Sequence, residues 1–346
     1  MIIHESKAQE CPLCFVKYSH NGVVVFACWQ NGVITCHLAS TALPIASFDA
    51  LHKGAVISCD VSSNTSQLFA TDYSGTGIVW DCERGEAITS FTENTLLESS
   101  NFSSDDRLVL YSLHKKFRMP SVFNALRDLR QPEKAISYIA LPNCYLSKTI
   151  FANDSHILSA LDNGHVVQHD LRNCNNQQTM DDLRDSSQLS RKLHNSQITQ
   201  ITCNPQHQIF MTSSKDKHCK IFDFESLEVF MDLNYGEEAN GCAIHPNSKI
   251  VAVVGGQDVL QVTTTGHKSD QFASKFFYLP TGENFGQIKS HFGTPNACAF
   301  APSGDSFASG GIDAFLKVHD LNEDNDFNSY EANIIDALNN QIEVLQ

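Results

Sequence analysis

Three histidines mark where chemistry would begin. His52, His194 and His291 are each followed, 22 residues on, by Ser74, Asp216 and Asp313. A histidine facing a carboxylate is the pairing that orients an imidazole as a general base, and a nearby hydroxyl would complete a nucleophile. One such pair would suggest an active site. Three pairs at one offset point to a packing device repeated in each copy of a structural unit, because a reaction centre is built once. Cys11-Pro-Leu-Cys14 has the spacing of half a zinc site, but no second C-x-x-C or H-x-x-x-H completes four ligands, so no metal is assigned. Gly75-Thr76-Gly77 lacks the third glycine of a dinucleotide fingerprint, and no G-x-x-x-x-G-K-[ST], G-x-S-x-G or H-E-x-x-H occurs. No cofactor and no catalytic residue is expected.

The elements around these histidines repeat as well. Residues 75–91, 163–171, 216–230 and 313–321 share one plan of polar turn, alternating apolar strand, then an aromatic or histidine followed by aspartate. The closing pairs are Trp80-Asp81, His169-Asp170, Phe222-Asp223 and His319-Asp320, spaced by 89, 53 and 97 residues. These spacings are close to two, one and two repeats of roughly 43 residues, the period of a propeller blade. Between them, QLFATD, QIFMTSS and SFASGG read as half-buried antiparallel strands. Counting units predicts an all-β, seven-bladed β-propeller over residues 1–326, with blades starting near Cys11, His52, Thr95, Asn143, His194, Glu238 and His291. Residues 1–4 are expected to close the last blade as its outer strand, since an open ring leaves a sheet edge unpaired.

Three segments depart from the period. His114 to Lys134 concentrates Lys115, Lys116, Arg118, Arg127, Arg130 and Lys134, and Lys115, Lys116 and Arg118 offer a candidate RNA contact through phosphate neutralisation. Asn173 to Ser190 reads as a solvated connection. In the tail, Ile334, Leu338, Ile342 and Leu345 fall at helical spacing, which predicts a C-terminal amphipathic helix over 327–346.

Composition bounds the function. The chain has 24 Lys plus Arg against 39 Asp plus Glu, a net charge of −15, which disfavours gripping nucleic acid through overall charge. Gly22 to Trp29, the most apolar run, is too short to span a bilayer, and MIIHESKAQE has neither a basic nor a long apolar leader segment. A cytoplasmic chain with no membrane partner is expected. Cys28, Cys59, Cys203, Cys242 and Cys298 sit in apolar strand-like runs and are read as buried thiols.

From Val253 to Leu321 the pattern becomes specific. It contains Gly255, Gly256, Gln257 and Asp258; Val262 with Thr263, Thr264 and Thr265; Phe272 and Phe276; and Phe285, Gly286, Lys289, His291, Phe292, Gly293 and Pro295. Ser309, Gly310, Gly311 and Asp313 end it. This block closely resembles the i subunit of eukaryotic translation initiation factor 3, a WD-repeat family. The chain departs from that pattern at Val254, Lys275, Ile312 and Ala314, and Thr294 intervenes before Pro295, so it reads as a divergent member.

The resemblance implies a scaffold without catalysis, assembled into initiation factor 3 on the small ribosomal subunit and not as a homo-oligomer. It also implies partners: a helix near the C-terminus of the b subunit, held against blades five and six, and the g subunit. By blade position alone, the candidate contacts are Lys215, Asp216, Asp232, Tyr235, Glu237 and Glu238. In WD repeats the histidine, the turn acid and the aromatic belong to an inter-strand network; the matching residues here are His52, Trp80, His194, Asp216, His291 and Asp313, with Ser74 replacing the second repeat's acid. The alternative is a WD-repeat adaptor of a signalling pathway, against which the Gln257-Asp258 and triple-threonine block argues.

Overall fold

The computed structural model describes residues 3–49, 51–114, 122–141, 144–173, 189–204, 208–256 and 272–321. Their strands form seven four-stranded antiparallel sheets, six of them pairing sequential strands in order. Blade 1 holds β2 (Leu13–Tyr18), β3 (Val24–Trp29), β4 (Ile34–Leu38) and β5 (Pro44–Phe48), and blade 2 holds β6 (Val56–Val61), β7 (Gln67–Asp72), β8 (Thr76–Asp81) and β9 (Ala87–Thr92). Blade 3 is β10 (Leu97–Phe102), β11 (Leu108–Leu113), β12 (Val122–Asp128) and β13 (Ser137–Leu141), and blade 4 is β14 (Ser147–Asn153), β15 (His156–Leu161), β16 (His165–Asp170) and β17 (Leu189–Lys192). Blade 5 contains β18 (Ile198–Asn204), β19 (Ile209–Ser214), β20 (His218–Asp223) and β21 (Val229–Asn234), and blade 6 contains β22 (Ala239–Ile244), β23 (Ile250–Gly255), β24 (Ser274–Tyr278) and β25 (Glu283–Ile288). In blade 7, β26 (Pro295–Phe300), β27 (Ser306–Gly311) and β28 (Leu316–Asp320) are joined by β1 (Ile3–Ser6), with Ile3 opposite His319 and Ser6 opposite Leu316.

The second and third strands of a blade are largely buried on both faces because blades stack face to face around the ring. β3 and β7 are almost wholly buried, whereas the fourth strands β5, β9 and β21 are mostly exposed. Aromatic rings fill the wedges between blades: Phe48 packs on Phe26 at 6.3 Å and edge-on to Trp80 of the next blade at 5.6 Å. Truncating one such buried ring to alanine costs about 3–5 kcal/mol. In six blades the innermost strand carries an irregularity one step from its start, as between Val56 and Ser58 or Pro295 and Ala297, which bends the strand where it passes the central axis. Side chains there tie neighbours together, as Asn296 Nδ2 donates to Leu13 O at 2.8 Å and Lys148 Nζ to Glu98 Oε2 at 3.0 Å.

One expectation changes. β12 occupies the middle of the basic stretch, so Val122–Asp128 is a regular third strand and not part of an insertion. Its apolar residues Val122, Phe123, Ala125 and Leu126 were masked by the basic residues around them. Residues 327–346, with the expected amphipathic helix, lie outside the described residues, as do Val262 to Thr265.

Candidate functional site

The repeated histidines sit in the loops that lead into innermost strands. His194 follows β17, Asp216 lies in the turn between β19 and β20, and Thr212 projects from β19. His194 Nδ1 is 3.0 Å from Asp216 Oδ2, and its Nε2 is 2.9 Å from Thr212 Oγ1. Blade 7 repeats this with His291 Nδ1 at 2.9 Å from Asp313 Oδ2 and Nε2 at 2.8 Å from Ser309 Oγ. Each carboxylate also accepts the amide after the histidine, from Asn195 at 2.9 Å and Phe292 at 3.1 Å. The order carboxylate, imidazole, hydroxyl is that of a hydrolase triad. Here, however, both imidazoles and both hydroxyls are fully enclosed, so no substrate carbonyl can approach them. What the arrangement does is lock the loop between two blades onto the turn of the second.

Charge follows burial. Burial pushes the His194 imidazole below its usual range against the pull of Asp216, so it stays neutral. Burial pushes the Asp216 and Asp313 carboxyls up, but the Asn195 amide on one and the His291 ring on the other bring both below the ordinary carboxylate range.

Blade 2 corrects the expectation that Ser74 replaces the acid. The acid is Asp72, two residues earlier, with Oδ2 3.1 Å from His52 Nδ1, while Ser74 Oγ donates to Asp72 Oδ1 at 2.7 Å. Burial raises this carboxyl, yet His52, Ser74 and the Thr76 amide outweigh it and lower it to about 2. The hydroxyl of the lock is missing. Ala70 pairs with Cys59 and Ile78 where Ser309 pairs with Cys298 and Lys317, so Ala70 is the register equivalent of Ser309. His52 Nε2 and Trp80 Nε1 are both left buried without a hydrogen-bond partner, and Trp80 meets His52 only through ring packing at 6.1 Å. Trp29 fares differently in blade 1, where Nε1 donates to Thr35 Oγ1 at 2.7 Å and Thr35 in turn contacts His37 Nε2 at 2.7 Å.

The blade 5 and 6 candidates divide into frame and surface. Tyr235 is buried, and its hydroxyl donates to Ala273 O at 2.8 Å, so it belongs to the frame and not to a contact surface. Asp216 is spent on His194. Lys215 and Asp232 are exposed, Asp232 accepting from His218 Nδ1 at 2.7 Å, and Glu237 and Glu238 are half-buried. Beside them on β21 the sequence reading overlooked Phe230, which is 57 % exposed and was hidden within a strand pattern that looked uniformly structural.

Lys115, Lys116 and Arg118 lie outside the described residues. Arg127 and Arg130, from the same stretch, are occupied: buried Arg127 pairs with Glu93 at 3.0 Å and stacks 3.9 Å over the Phe91 ring, and Arg130 pairs with Asp128 at 3.0 Å. Every cysteine among the described residues is a free thiol; Cys28, Cys59, Cys242 and Cys298 are buried, Cys203 half-buried. Burial, with Cys11 adding to it, pushes the Cys14 thiol up to about 11, which disfavours the thiolate a metal requires. No metal-binding cluster occurs among the described residues, and none of their helices is long and apolar enough to cross a membrane.

Residues 186–223 and 282–320 match the WD40 family model, "WD domain, G-beta repeat". Each match starts at the fourth strand of one blade and runs through three strands of the next, with the locked histidine at the crossing. Eukaryotic translation initiation factor 3 subunit I of Drosophila melanogaster is 30 % identical over 309 residues, 88 % of this chain and 91 % of its own. The Xenopus tropicalis protein of that name is 28 % identical over 312 residues, with 88 % and 91 % covered. Among solved structures, the Cps50 (Swd1) β-propeller domain of Myceliophteria thermophila matches with a TM-score of 0.73 over 92 % of this chain and 99 % of that one, at 11 % identity, a likeness of fold alone.

Proposed function

Because the chain belongs to the eukaryotic translation initiation factor 3 subunit I family, we propose that it is a non-catalytic scaffold of that factor, holding the b and g subunits together on the small ribosomal subunit in the cytoplasm. The alignment over 309 residues carries this reading. The geometry supports it in two ways. The acid, imidazole and hydroxyl groups that converge are enclosed and repeated, so they serve the rigidity of the ring. Blade 5 presents exposed Phe230 and Val229 on β21 with exposed Asp232 two residues on, an apolar strip with a charged border of the kind an amphipathic helix covers.

Affinity purification of the tagged chain at low salt tests the assignment: initiation factor subunits are expected to co-purify, and their absence would reject it. The surface is tested by Asp232→Lys with Glu238→Lys, which spare the His194 lock. Recovery of the b subunit is expected to fall at least tenfold while thermal unfolding stays unchanged; undiminished recovery places the helix elsewhere.

A further inference from the structure

One wedge of the ring is rich in thiols. Of the eleven free cysteines among the described residues, Cys28, Cys36, Cys59 and Cys82 share the apolar cluster between blades 1 and 2, and no other cluster of the described residues holds more than two. Each blade supplies a pair: Cys28 and Cys36 lie on β3 and β4, Cys59 lies on β6 and Cys82 just after β8. A buried thiol packed against carbon is an inert small hydrophobe. Two thiols facing each other across a blade boundary have a reaction available.

Cys28 and Cys59 are the pair in contact. β3 packs directly on β6 across the boundary. Cys28 stands opposite Phe15 and Ile34 within its own sheet, and Cys59 opposite Ala70. In blades 5 and 6 the same register positions hold Ser213, opposite Gln200, and Cys242, opposite Val253. Cys242 is hydrogen-bonded to the Ser213 side chain there, as Cys28 is to Cys59, so the fold brings these two positions together at both boundaries. Between blades 6 and 7 the positions are Val254 and Cys298. Of the three boundaries, only that of blades 1 and 2 carries sulfur on both sides. Sulfurs already in contact bond through side-chain rotation, whereas separated positions would need the backbone to move.

We propose that Cys28 and Cys59 form an oxidation-sensing dithiol, which hydrogen peroxide converts to a disulfide that fastens blade 1 to blade 2. The Cys28 thiolate attacks one peroxide oxygen and the O–O bond breaks. Cys28 becomes a sulfenic acid, and the departing hydroxide takes the proton given up by the thiol and leaves as water. The Cys59 sulfur then attacks the sulfenic sulfur, and its own proton leaves with the displaced hydroxyl as a second water. Two thiols are thereby oxidised and one peroxide reduced. Half-buried Cys14 adjoins Cys28 and marks the side from which peroxide enters. Burial, with the Cys59 hydrogen bond adding to it, pushes the Cys28 thiol up, so the pair answers to an excess of oxidant and not to traces.

The inference stands apart from the partner assignment, because its test uses the isolated full chain. The chain is treated with excess hydrogen peroxide, its remaining thiols are blocked with N-ethylmaleimide, and tryptic peptides are read by mass spectrometry. Peptide 18–53 carries Cys28 and Cys36, and peptide 54–84 carries Cys59 and Cys82. The two are expected to be joined after oxidation and released by dithiothreitol. Cys28→Ser, which copies Ser213 beside Cys242 and so fits the fold, should lower the joined species by roughly tenfold or more, while Cys36→Ser leaves it unchanged. No joined species from the unaltered chain, or one that survives Cys28→Ser, overturns the proposal. Loss in Cys36→Ser alone would give the bridge to the outer pair, and sulfinic acid at Cys28 without a bridge would show that Cys59 does not resolve it; either result overturns it as well.

Discussion

Replacing Ala70 by serine should make the protein more stable. Burying a hydroxyl normally costs free energy, so the expectation rests wholly on the unfilled polar position in blade 2. Ser309 places Oγ 2.8 Å from His291 Nε2, and Thr212 places Oγ1 2.9 Å from His194 Nε2. At the same register in blade 2, Ala70 leaves His52 Nε2 and Trp80 Nε1 buried and unpaired. The neighbour across the ladder is a cysteine in both blade 2 and blade 7, Cys59 opposite Ala70 and Cys298 opposite Ser309, so the new hydroxyl meets a similar wall. A net hydrogen bond contributes about 1 kcal/mol and relief of an unsatisfied buried group about 1–3 kcal/mol; after the cost of burying the new hydroxyl, about 1.5 kcal/mol remains. Unfolding entropy near 2.1 cal/mol/K per residue gives about 0.7 kcal/mol/K for a chain of this length, so Tm should rise by about 2 °C. Differential scanning calorimetry of Ala70→Ser beside Ser309→Ala resolves this, the second variant being expected to lose a similar amount. If Ala70→Ser is neutral or destabilising while Ser309→Ala is costly, the orphaned pair is already satisfied and the reasoning fails.

Acid should weaken the fold through two other histidines. Burial lowers His169 from 6.5 to about 4 and His319 to about 3, so the native state holds both neutral. Their contribution is complete above pH 6.5 and is lost as pH falls toward these values, on the order of 3 kcal/mol for His169. His169→Phe, which copies Phe222 at the matching position of blade 5, should flatten the urea-midpoint profile between pH 6.5 and 4; an unchanged slope would refute this. Arg127→Ala should cost about 3 kcal/mol in denaturant titration, because it leaves the Glu93 carboxylate without its cation, held by the Tyr111 hydroxyl, beside a bared Phe91. Removing residues 1–6 deletes the four residue pairs between β1 and β28 and should lower stability by about 4 kcal/mol at roughly 1 kcal/mol each, with a matching gain in self-association from the exposed edge of β28. Unaltered light scattering and melting would show that the ring closes without them.

The propeller could be read from the sequence because each blade repeats a few obligatory residues, the histidine and turn acid above all. Where one of them moved, the reading failed. Asp72 stands 20 residues after His52 instead of 22 and still reaches the ring, from the last position of β7, at the edge of the turn that holds Ser74. The eye following a fixed offset landed on Ser74. β12 was overlooked for a related reason: Arg127 counts as a surface charge by composition, although its guanidinium is sandwiched between Phe91 and Glu93 inside blade 3. The partner surface was least legible. Tyr235 and Asp232 look alike as polar residues near a strand end, and only packing distinguishes a hydroxyl bonded to Ala273 O from a carboxylate open to solvent.

The sheet that joins Ile3 to His319 also sets an order of events during synthesis. β1 leaves the ribosome long before β28, whose His319 stands 316 positions after its partner Ile3. At roughly 5–20 residues per second it waits on the order of 15–60 s for that mate. Six blades can mature in turn while the seventh stays incomplete, so a nascent chain carries an unmatched leading segment for nearly all of its elongation, and holding that segment back from other strands becomes a task for the cell's chaperones.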